Sequence, residues 1–277
     1  MEEDPLPNAI ADLVWSLGRL EAVFDDLPAI VRRVAEMIPT RLGAFTVLEL
    51  ANVLWGLAHT LPLLRRLDTS HVRSTAIAVA QASLQRHGHI PTHILSCRLW
   101  AVVKLDLPID ICEALLRRCA EGLLLEGAAR SHVEGMQWCP QGLANVAWSA
   151  AKLSLFGSLE GYAMAAVVCA AVAKQARVCL ESFKPHELSM MAWACATMHG
   201  RKKSGNNARP GGAAALTSAA EEFNVKEPAP FDFASIMIRV AVLARKRLGE
   251  LSLQSLSNIA WVLATVGVLS HVAAEDL

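Results

Sequence analysis

Net charge is the first thing this sequence lacks. Lys plus Arg and Asp plus Glu number 26 each across 277 residues, so any contact with a polyanion must rest on local patches. Aromatics are scarce at 5%, with one Tyr, but seven of the few are Trp, which makes their placement informative. No Cys-x-x-Cys occurs, and the seven cysteines (Cys97, Cys112, Cys119, Cys139, Cys169, Cys179 and Cys195) are an odd number set mostly in apolar runs. A thiol there behaves as a small hydrophobe, which points to a reducing compartment and not to a disulfide framework. Strand signals are missing too: there is no sustained two-residue alternation and no Asn-Gly or Asp-Gly hairpin. A catalytic-serine motif, a glycine-rich phosphate loop and HExxH are all absent, so catalysis is not expected. The acidic N-terminus resembles neither a secretory signal nor an Arg-rich transit peptide. The most apolar stretch, 162–180, is interrupted by Lys174, Gln175 and Arg177 and reads as a buried amphipathic helix, not a membrane span.

What is present is a repeat written around tryptophan. Six hexapeptides align, ending at Trp15 (IADLVW), Trp55 (LANVLW), Trp100 (LSCRLW), Trp148 (LANVAW), Trp193 (LSMMAW) and Trp261 (LSNIAW), and Trp138 stands outside them. The Trp spacings are 40, 45, 48, 45 and 68, four of them close to the period of helix-pair repeats. The long one contains 201–224, rich in Gly, Ser, Asn and Ala, which reads as an insertion loop between the two helices of the fifth repeat. Apolar residues recur around each Trp with a helical rhythm, and Pro91, Pro140 and Pro185 stand at or near first turns. A second apolar helix is predicted over 22–37, 70–85, 109–124, 159–180 and 233–248. One such pair cannot bury its apolar faces alone, and stacked pairs can. The expected fold is therefore all-α: an α-solenoid of about six helix pairs in a single domain over 1–277. After Trp261 the second helix is lacking, so a partner covers that face or more chain belongs to the protein.

The segment LANVAWSAAKL ending at Leu153 resembles the signature of octotricopeptide repeats. LSNIAWVLAT ending at Thr265 is similar to the related heptatricopeptide repeats of the Fas-activated kinase-like and RAP-domain proteins. The resemblance implies helical hairpins that bind single-stranded RNA in mitochondria or plastids, acting in transcript metabolism and ribosome assembly. With no transit peptide in view, the cytoplasm is the alternative location.

At about 100° per residue, the positions seven and three before each Trp, and one and four after it, fall in a narrow stripe. It holds Gln141 and Gln254 at −7, Asn52, Asn145 and Asn258 at −3, and Arg19, His59, Lys104 and Lys152 at +4. Amides can pair with base edges and cations with phosphates, while the mostly small +1 residue would leave room, so these nine residues are the candidate RNA readers. The bland alternative is that the asparagines tie neighbouring repeats together and the cations are solvated. The six Trp themselves are expected in the core, with base stacking the lesser alternative. Basic residues in the second helices (Arg32, Arg33, Arg73, Arg117, Arg118, Lys174, Arg177, Arg245, Lys246 and Arg247) could track phosphates or form a solvated outer face, and Arg201, Lys202 and Lys203 belong to the insertion. His93 with Cys97, and Cys195 with His199, are one turn apart but too few for zinc, so neither metal nor cofactor is expected. Two functions compete: RNA binding by the stripe, and a non-catalytic scaffold for other protein subunits.

Overall fold

The structure is a computed structural model and describes residues 6–20, 24–64, 69–88, 90–129, 138–156, 158–203, 212–223 and 233–266. Among them every regular element is helical. Contacts group the chain into two compact units, Met1–Leu115 and Leu116–Leu277.

In the first unit α1 (Pro7–Leu20) lies against α3 (Val47–Thr60), and α3 against α5 (Thr92–Lys104), while α2 (Leu27–Met37) lies against α4 (Ser70–Leu84). Every second helix is thus a neighbour, and α3 joins the two rows by packing on α4, an arrangement typical of helical-repeat proteins. Local chemistry sets the helix ends. Thr46 and Glu49 form a reciprocal capping box that starts α3: the Glu49 N–H donates to Thr46 Oγ1 at 3.2 Å, and the Thr46 N–H donates to Glu49 Oε2 at 2.6 Å. After α4, the Arg86 guanidinium donates to the carbonyls of Leu42, Gly43 and Phe45 at 3.0, 3.1 and 2.9 Å, which pins the turn between α2 and α3. Asp106 holds a φ of 54° in the turn before α6 (Ile109–Ala129), with Arg73 of α4 donating to its carbonyl and pairing with its carboxylate.

The α1–α3 contact is a close backbone approach. A Cβ on Gly56 would stand 2.3 Å from the Val14 carbonyl oxygen, and one on Gly18 would stand 2.9 Å from the Gly56 Cα. Glycine is needed at both positions because no side-chain atom fits between the two backbones.

In the second unit α7 (Pro140–Ser154) packs on α8 (Leu159–Cys179) and α9 (Pro185–Lys203), and α9 packs on α11 (Phe233–Lys246) and α12 (Leu253–Val266). The Ser158 hydroxyl caps α8, accepting from the Gly161 N–H at 3.0 Å. Much of the buried face of α8 is small: Ala163, Ala165, Ala173 and Ala176 are all fully buried.

The stretch 201–224, expected as an insertion loop, differs from that expectation. α9 runs to Lys203, and α10 (Gly212–Glu222) follows and packs on α8. Ala219, Ala220 and Phe223 are buried, and Glu222 pairs with Arg117. A run rich in Ala is a good helix former, and burial of this weak apolar face is what settles it as helix.

Candidate functional site

The repeated Trp residues are not core, and this corrects the expectation from their apolar setting. Trp15 and Trp261 are 41% and 49% exposed, and Trp55, Trp100, Trp148 and Trp193 are half-buried. Trp138, the one outside the repeat, is 3% exposed. A wheel shows why. Positions −5, −1, +2 and +3 span the apolar arc from about 200° to 300°, while the polar positions −7, +4 and −3 fall at about 20°, 40° and 60°, next to Trp at zero. The ring therefore stands on the border of the polar sector. Its angle was available in the sequence, although its apolar neighbours pointed to the core.

In the first unit these rings form a row across three helices. Trp15 on α1 and Trp55 on α3 have ring centroids 6.0 Å apart, tilted by 32°. His59, one turn beyond Trp55, lies 3.9 Å from that ring and 5.0 Å from Trp100 on α5. Its Nδ1 sits 3.0 Å from the Trp55 carbonyl oxygen, the geometry of a donated N–H that fixes the ring as a wedge between two indoles. The Arg19 guanidinium stands over Trp15, 5.6 Å from its centroid. In the second unit Trp148 on α7 and Trp193 on α9 are 6.3 Å apart, and Lys152 Nζ lies over the exposed Phe156 ring at 5.0 Å.

The other stripe residues divide. At −7, Asn8, Leu48, His93, Gln141, His186 and Gln254 are all exposed. At −3, Asn145 is 7% exposed, and Asn258 donates to Ser189 Oγ on α9 at 3.2 Å while accepting from Gln254 at 3.0 Å. Asn258 thus ties two neighbouring helices, as the ladder alternative expects. Asn52 is half-buried. At +4, Arg19, His59, Lys104 and Lys152 lie in the last turn of their helices, where the helix dipole favours positive charge whatever else they do, and Lys104 is exposed. At +1, Ser16 is exposed, while Gly56, Ala101, Ser149, Ala194 and Val262 are buried, so in those five the residue serves helix contact and does not leave room for a base. The sequence placed these rings in the core, with base stacking the lesser alternative, and the structure puts them at its border.

Several of the cations on the second helices are ion-paired within the chain, Arg33 and Arg247 only with a residue three positions along. Arg33 pairs with Glu36 at 3.6 Å, Arg73 with Asp106, Arg117 with Glu222, and Arg247 with Glu250 at 2.7 Å. Arg32, Lys174, Arg177, Arg245 and Lys246 are exposed. Of Arg201, Lys202 and Lys203, only the helical backbone falls within the described residues. No group of three or more His, Cys, Asp or Glu able to hold a metal occurs among the described residues.

Cys112, Cys119, Cys169 and Cys195 are buried packing elements. Burial pushes Cys195 up to about 12 and Cys169 higher still. Cys112 also reaches about 12, by burial first and then through Asp106, Asp110 and Glu113. A raised value leaves less thiolate at neutral to mildly alkaline pH, and the thiolate is the reactive form. Exposed Cys139, at the start of α7, should therefore be alkylated by iodoacetamide well before these three in the folded chain. Peptide mass spectrometry over a time course reads the order, and equal labelling of Cys195 would contradict the packing of α9.

Two segments, Val47–Leu64 and Glu160–Ser182, have the length and hydropathy of a membrane span, and about half of each is buried against the rest of the chain. No family model, curated protein or solved structure matches this chain.

Proposed function

We propose that this chain is a non-catalytic RNA-binding helical-repeat protein of the octotricopeptide type, acting on single-stranded transcripts in a mitochondrion or plastid. The observation that carries the reading is the row of part-exposed rings Trp15, Trp55, His59 and Trp100. Successive aromatic rings along a part-exposed edge are a surface of the kind that unstacked bases pack against. Arg19 and Lys104 stand at the edge of the same row, within the reach of a phosphate backbone.

The test is a salt titration of binding to a fluorescent single-stranded oligonucleotide, with folding checked by circular dichroism. Replacing Trp100 by Ala should weaken binding by about 5- to 150-fold, the worth of one stacked base. Lys104→Ala should flatten the slope of log affinity against log salt by about 0.7. A folded wild-type chain that binds no strand at low salt would remove the RNA reading.

One observation favours a second reading. With zero net charge and Arg33, Arg73, Arg117 and Arg247 paired internally, the same Trp row would serve as the anchor of a protein interface, in which Trp is enriched at hot spots. The chain would then be a scaffold subunit of a larger organellar assembly, and Trp100→Ala would weaken that assembly instead.

A further inference from the structure

Each Trp helix carries two packing faces. Positions −5, −4, −1, +2 and +3 from the Trp form a forward face, and positions −6, −2 and +1 form a rear face. The α1–α3 contact shows how they meet. Val14 and Gly18, on the forward face of α1, approach Gly56, on the rear face of α3. In α1, α3, α5, α7 and α9 all five forward positions are buried. In α5, α7, α9 and α12 all three rear positions are buried, and on α3 only Glu49 is half-buried.

Two faces break this pattern, one in each compact unit. On the forward face of α12, Ser257, Ala260 and Ala264 are exposed, and Leu256 and Leu263 are half-buried. At the same places α9 carries Leu188, Ser189, Ala192, Cys195 and Ala196, all buried, and α12 packs on α9. On the rear face of α1, Ala9, Leu13 and Ser16 are exposed, where α12 has the buried Ser255, Ile259 and Val262. The two helices with an open face also carry the two most exposed rings of the repeat, Trp15 and Trp261. A repeat face that stays in water is ordinarily polar. These two are built from the small and aliphatic residues that the other helices bury.

We propose that the chain assembles head to tail with a second copy of itself. The forward face of α12 in one copy takes the rear face of α1 in the next, repeating the contact that joins α1 to α3. Ala260 and Ala264 then stand against Ser16 as Val14 and Gly18 stand against Gly56. A second copy is the occupant because the rear face that fits is present on the same chain and is open. Each face lies wholly within one unit, so either is filled without the other. The two faces differ, so the contact is heterologous, and every added copy brings a fresh open face.

The test is sedimentation velocity of the full chain from about 1 to about 100 µM, because one helix pair makes a small, reversible interface. The wild-type sedimentation coefficient should rise with concentration. Leu13→Asp and Ala260→Asp each put a charge on one open face, and each variant alone should stay monomeric throughout. Mixed in equal amounts, they should form a one-to-one dimer and nothing larger, since each supplies the face that the other has lost. Ser16→Asp and Ala264→Asp, on the same two faces, should behave as a second such pair. All four positions are exposed, and circular dichroism checks that the helices persist. A wild-type chain that stays monomeric over the whole range would overturn the proposal. So would a variant that still self-associates alone, the mark of a two-fold contact of one face with itself. A mixture of folded variants that stays monomeric would overturn it as well.

Discussion

Replacing Trp138 by Ala should destabilise the protein by about 3–5 kcal/mol, the range for emptying the site of a large buried side chain. Trp138 is 3% exposed, just before α7, and its ring approaches Gly122 of α6 so closely that a Cβ there would stand 3.3 Å from Cζ2. A void of that shape cannot refill, because the helices on either side are held by their own packing and the loss of dispersion contacts adds to the transfer term. The contrast lies with Trp261, which carries the repeat signature but is 49% exposed. Its truncation should cost no more than about 1 kcal/mol. Urea unfolding followed by circular dichroism measures both, with an unchanged slope required for the comparison. A Trp138→Ala midpoint equal to wild type, beside a large loss for Trp261→Ala, would mean that the burial of the two residues is reversed.

Adding one methyl group at Gly56 should be nearly as damaging. The new Cβ would meet the Val14 carbonyl oxygen at 2.3 Å and its carbon at 2.6 Å, both backbone atoms of α1. Neither can rotate aside, so α1 must move away by about 1 Å to restore an ordinary contact, and overpacking of this kind costs about 1–3 kcal/mol. The same displacement opens the 6.0 Å contact between Trp15 and Trp55, so the intrinsic fluorescence of the folded state should change with the stability. Gly43→Ala is the control, since nothing lies within 4 Å of its Cβ position and the site is exposed. Thermal melts of the two variants should separate by several degrees, and coincident melts would show that α1 is not docked through Gly56.

The helices themselves were legible from the chain. The expected second helices at 70–85 and 159–180 end within a residue of α4 and α8, and Pro140 and Pro185 open α7 and α9. A stripe of exposed polar residues along the Trp helices was legible as well, in Gln141, Lys104 and Arg19. The helix at 212–222 was not: its Gly-flanked, Ala-rich run carries no strong periodic face, and it is ordered by lying on α8.

Periodicity is a property of one helix and assigns each side chain an angle about its axis. That is enough to separate an apolar arc from a polar stripe along the Trp helices, though not along the Ala-rich helix at 212–222, which carries no strong face. It does not say how far round a neighbouring helix reaches. Trp stands at the border between the two sectors, where a small difference in the approach of the next helix decides between core and edge. Tertiary structure made that decision: α1 and α3 approach closely at Gly18 and Gly56, and beside that contact Trp15 and Trp55 lie 6.0 Å apart, Trp15 41% exposed and Trp55 half-buried.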